Sequence, residues 1–155
     1  MEIPTFNLWK VDFAQDEFNK NQAMLLVQKY LTELEVITKS QIKGHCTRLF
    51  ADEIAIDTKK IPEFNDKKVY QLKISLRFAQ LPPYLDFWLM TICHMKETDF
   101  PVLVSLSEEV ANSASYDMLI LCPDIKNFSR LMENVATSQA VHLVINVMDK
   151  IKLYT

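Results

Sequence analysis

Along residues 70–78, Tyr70, Leu72, Ile74, Leu76 and Phe78 alternate with Gln71, Lys73, Ser75 and Arg77. A strand points successive side chains to opposite faces, so this run predicts a β-strand with one apolar face and one wet, polar face. Such a strand suits an antiparallel sheet. Pro82 and Pro83 then mark a turn, because proline donates no ladder hydrogen bond and restricts the residue before it. From Asp86 to Met95 the chain is apolar on both faces. Strict alternation sets Trp88, Met90 and Ile92 on one side and Phe87, Leu89 and Cys93 on the other. A buried helix would also hold these residues, but the aromatic and β-branched content and a turn at each end favour a strand covered on both faces.

Residues 96–99 read as the next turn, and Pro101 opens a third strand in which Val102, Val104 and Leu106 share a face. Residues 107–115 are small and polar, which predicts a loop or a single helical turn. Residues 118–122 form a short continuous apolar run that fits a buried fourth strand, ended by Pro123.

The flanks change period. From about Asp16 to Lys39, Met24, Val27, Leu31 and Leu34 recur at three- and four-residue steps, which predicts a long amphipathic helix. Asp16 or Asn19 could cap its start, and Gly44 stands where a helix ending near Lys43 would place a left-handed residue. Between His45 and Lys60 the pattern weakens. A hairpin, or a helix persisting to Phe50, would fit, and a weak strand is expected around Ile54 to Thr58. After Pro123, Ile125, Phe128, Leu131, Met132 and Val135 predict a helix capped by Asp124. Thr137 and Ser138 read as a break and a second cap. Val141, Val144, Ile145, Met148 and Ile151 then predict a final helix over about residues 140–153, although its β-branched residues would also suit a fifth strand.

The expected fold class is therefore α+β: a mostly antiparallel four- to five-stranded sheet, about residues 69–122, packed by a long N-terminal helix and two C-terminal helices. At 155 residues the size prior gives a single domain, 1–155, with residues 1–13 as an apolar arm carrying Ile3, Phe6, Leu8, Trp9, Val11 and Phe13.

Composition narrows the functional classes. A net charge of −3 with 17 scattered basic residues lacks the clustered basic face of a nucleic-acid binder. A single glycine, Gly44, leaves no GxGxxG turn, no phosphate-cradling loop and no GxSxG elbow. No apolar run approaches the roughly 18 residues of a membrane span. Three cysteines, an odd number, without a signal pattern predict reduced thiols and a cytoplasmic location.

Candidate chemistry is sparse. His45–Cys46, Cys93–His94 and Cys122 could ligate a metal, but adjacent residues of a strand point apart and no CxxC pair brings two thiolates to one ion. Cys46 beside His45, or Cys122 with His94 or His142, could be drawn as a nucleophile and its base. His94 reads better as a hydrogen-bonded core residue and His142 as a surface one. Glu53 and Asp57 would share a strand face, and Asp57 precedes Lys59 by two. That pairing resembles the metal site of PD-(D/E)xK nucleases, where carboxylates hold a divalent ion and lysine stabilises phosphate charge. The resemblance covers three residues, and Pro123–Asp124 follows them instead of preceding them. Lys73 and Arg77, with Gln71 and Ser75, form a polar strip that could receive an acidic segment or an added strand.

The reading is a small cytoplasmic, non-enzymatic protein-interaction module, like antitoxin, immunity or chaperone proteins in size and charge only. Its expected partner is another protein, with homodimerisation possible, and no nucleic acid, membrane or cofactor. No catalytic residue is assigned. The alternative is a divalent-metal-dependent hydrolase or nuclease-like enzyme using Glu53, Asp57 and Lys59.

Overall fold

A computed structural model describes residues 21–50, 56–65, 68–79, 81 and 86–153. Within them the chain runs α1 (Gln22–Ile37), β1 (Ile42–Leu49), a 3₁₀ turn (Thr58–Lys60), β2 (Val69–Phe78), β3 (Asp86–Met95), β4 (Val102–Leu106), α2 (Glu108–Ala114), β5 (Leu119–Cys122), α3 (Ile125–Ala136) and α4 (Gln139–Leu153). The expected α+β architecture is what forms. The five strands pair in chain order, every neighbour antiparallel.

Helix α1 starts at Asn21, whose side-chain oxygen accepts from the Met24 amide at 3.2 Å. The expected caps Asp16 and Asn19, and the arm 1–13, lie outside the described residues. The helix stops at Thr38, and Lys39 and Ser40 turn the chain with positive φ. Gly44 is therefore not a helix cap. It lies in β1 opposite Leu76, where an added Cβ would meet Leu31 Cγ of α1 at 2.7 Å. The missing side chain lets α1 lie close on the sheet.

β1 itself departs from expectation. Residues 42–49 pair with β2 along their whole length, whereas residues 56–58, expected as a weak strand, lead into the 3₁₀ turn. The propensity of residues 42–49 is low, and the ladder with β2 overrides it.

Between Ile74 and Ser75 the β2–β3 register shifts: Ile74 faces Met90 and Ser75 faces Trp88, so Leu89 is an extra, bulged residue. A bulge reverses the phase of alternation beyond it. Phe87, Leu89, Met90 and Ile92 all pack into the helix-covered core, and Trp88 falls on the other face, which corrects the strict alternation read from sequence. That core also takes Val27 and Leu31 of α1, Ile74 and Leu76 of β2, and Phe128 and Leu131 of α3. Each such side chain contributes about 1.5–3 kcal/mol when fully buried.

The polar face of β2 is covered at Gln71 and Ser75, while Lys73 stays partly open. Gln71 is 2% exposed, and its side chain both accepts from the Ile56 amide at 3.0 Å and donates to the Ile56 carbonyl at 2.6 Å. The amide side chain imitates a strand partner and pins the segment around Ile56. Phe64 of that segment then seals a second small core over Cys93, Met95 and Leu103.

Residues 107–115 form α2, capped by Ser107. The last segment is helix, not strand. Ser138 receives the Val141 amide at 3.5 Å, and Val141 and Val144 are buried. Asp124 caps α3 through the Asn127 amide at 2.8 Å. Among the described residues no helix is long and apolar enough to cross a membrane.

Candidate functional site

The three thiols are buried and separate. By register Cys46 faces the helices and Cys93 the opposite side, while Cys122 ends β5. Burial pushes the Cys46 thiol well above its ordinary value and that of Cys93 to about 12. Cys122 rises to about 11, from burial and then from the neighbouring Asp124 charge. A thiol so placed stays protonated near neutrality and makes a poor nucleophile or metal ligand. Among the described residues no three His, Cys, Asp or Glu side chains converge as a metal site would require.

His94 is 2% exposed and faces the helix side. Its Nδ1 lies 3.3 Å from Asn21 Nδ2 and 3.2 Å from the Met95 carbonyl oxygen, and its ring sits 5.5 Å from that of Tyr70. Asn21 therefore caps α1 and at the same time ties that helix to the end of β3. Cys93 points away from His94, and His142 is exposed on α4.

Glu53 lies outside the described residues. Asp57 caps the 3₁₀ turn, accepting from the Lys59 amide at 3.2 Å, and its other oxygen is 3.9 Å from Lys60 Nζ. Both Asp57 and Lys59 are exposed. Their two-residue spacing is that of a turn cap.

The Lys73–Arg77 strip meets its counter-charge within the chain. Asp86 of β3 lies 3.8 Å from Lys73 Nζ and 3.8 Å from Arg77. Beside it the buried Arg77 Nε and Trp88 Nε1 have no hydrogen-bond partner among the described residues, and a cleft of about 430 Å³ opens there. The strip is a polar cleft, not a free basic track.

The largest departure from the sequence reading is β5. The run 118–122 reads as a buried strand, yet only Cys122 is buried. Leu119 is 49% exposed and Leu121 40%, with Met118 and Ile125 open on either side. Register explains this. Leu119 and Leu121 pair with Ser105 and Leu103 on the face away from the helices, and the segment around Phe64 covers Leu103 but stops short of β5. Being last in a meander that runs in chain order was the signal available: such a strand is an edge.

Under the helices lies an apolar cavity of about 350 Å³. Its floor includes Ile74, Leu76 and Met90, and its mouth carries Tyr30, Glu33 and His142. Burial, then Glu133, then Glu33 push the Tyr30 phenol up. The mouth is thus acidic in character.

No protein-family model, no curated protein and no solved structure matches this chain.

Proposed function

We propose that this chain is a non-enzymatic protein-interaction module of the cytoplasm, and that it takes up an extended segment of another protein along β5. The observation that carries this reading is the pair Leu119 and Leu121, held in the open on an outer strand. An edge strand offers unpaired backbone N–H and C=O groups to an incoming segment, and alternate side chains supply the contact that selects it. Two leucines on one face, two residues apart, give that segment an apolar strip to cover. The raised thiol pKa values and the structural use of Asp57 favour a binding role over a catalytic one. Buried reduced thiols suit the cytoplasm.

The test pairs capture with a surface variant. The wild-type chain and a Leu119→Lys/Leu121→Lys double variant are used as bait in extract from the native source, and the captured protein is then titrated against both. A loss of about tenfold or more in affinity on placing two lysines at the strip is expected. Equal binding by both baits would remove β5 from the interface. Light scattering across concentration separates a foreign partner from a second copy, since a β5-to-β5 homodimer would lose its concentration-dependent mass in the double variant.

A further inference from the structure

The cavity beneath the helical layer is a second feature, independent of β5. Helix α4 packs chiefly against α2, not down onto the strands, and the bulge at Leu89 lies in the sheet below it. The space between is lined by α1, the centre of the sheet, α3 and α4. An empty cavity with apolar walls forfeits dispersion contacts along its whole lining. Water recovers little of this, because a buried water needs two to four polar partners and the polar groups here stand at the mouth. A volume near 350 Å³ lies within the range of small-molecule sites and holds about a dozen non-hydrogen atoms at the ~30 Å³ that a water-sized group occupies.

The mouth sets the chemistry of the other end. Glu33 lines it, and Glu133 of α3 stands close enough to act on the same Tyr30 phenol. Among the described residues neither carboxylate has an ion-pair partner. Lys29, one turn before Glu33 on α1, forms none with it. An apolar chain thus finds a floor of Ile74, Leu76 and Met90, and a positive charge at its end finds Glu33 at the mouth and Glu133 near Tyr30. We infer that this cavity binds a single-chain amphiphile, its alkyl tail among the buried apolar side chains and a cationic head group at Glu33 and Glu133. An anionic head of the same length would be repelled at that mouth.

The full chain is titrated with dodecyltrimethylammonium, dodecanol and dodecanoate, each below its micelle-forming concentration, by calorimetry and by thermal melting. The expected result is one-to-one binding of the ammonium compound with a rise of several degrees in melting temperature, since a ligand bound only by the folded state stabilises it. Dodecanol should bind several-fold more weakly and dodecanoate not measurably. Ala136→Phe, which fills the cavity from α3, should abolish the heat of binding. A second variant, Glu33→Gln/Glu133→Gln, keeps the cavity and should bring the ammonium and alcohol affinities together. Absence of saturable binding in the wild type would overturn the inference. So would dodecanoate binding as tightly as the ammonium, or an ammonium preference that survives the double Gln substitution.

Discussion

The outer strands of the sheet, β1 and β5, treat their exposure in opposite ways. β1 is eight residues long and carries its own deterrents to strand addition. Lys43 Nζ lies 3.9 Å from Glu35 on α1, and the Arg48 guanidinium stands 4.6 Å from the Tyr70 ring centre and 5.2 Å from that of Phe50. Its inward residues Ile42, Gly44 and Cys46 are sealed by α1. β5 is four residues long, its ladder ends at Cys122, and its outward residues are leucines. One edge is bolted down by a helix and capped with charge; the other shows apolar surface to solvent. An edge can therefore be structural or available, and side-chain chemistry decides which.

Substitutions that treat the two edges alike should separate them. Ile42→Ala, deleting a fully buried side chain in β1, is expected to cost about 2–5 kcal/mol in urea unfolding, while Leu119→Ala in β5 should stay within about 0.5 kcal/mol. Equal losses would mean that β5 is as integral as β1. Gly44→Ala should cost about 1–3 kcal/mol, because the new methyl group drives Leu31 and α1 away from the sheet. A neutral result would show that the Leu31 side chain turns aside without moving α1.

The pH dependence comes next. Cys93 and Cys122 titrate at about 12 and about 11 in the folded chain, against an ordinary value of 9.0. Above pH 9 the unfolded chain releases protons that the folded chain retains, so stability is full below pH 9 and falls as pH rises toward 11 and 12. Thermal melting between pH 8 and 12 should show that decline, and Cys122→Ala should reduce its slope between 9 and 11. An unchanged slope in the variant would contradict the burial assigned to the β5 terminus. A modest effect is expected from Arg48→Ala, about 0.5–1 kcal/mol for the lost stacking on Tyr70 and Phe50, measured by the same melts.

Much of this was legible in the residues. The period-two run at β2, the helical spacing of Met24, Val27 and Leu31, the Asp124 cap and the break at Ser138 all correspond to structure. The misses have physical causes. β1 has little strand propensity of its own and forms because β2 offers it a ladder. The bulge at Leu89 changes no residue type, so nothing local announces that Trp88 and Met90 part company. Gly44 looked like a helix end because glycine serves both left-handed turns and close packing, and only the neighbour, Leu31, distinguishes them. Of the candidate groups, Asp57 and Lys59 proved to belong to a turn and His94 to a clamp on Asn21, while Leu119 and Leu121 passed for ordinary core.

Sequence by itself determined the helical character of α1 and α3 and the strand character and apolar face of β2, since those depend on periods of 3.6 and 2 that the chain carries internally. Tertiary structure alone decided which apolar faces are covered. Leu103 and Leu121 are the same residue type on the same sheet face, and one is buried because it sits on an interior strand within the small core that includes Ile56 and Phe64. Burial belongs to the arrangement of neighbours, and no single run of residues encodes it.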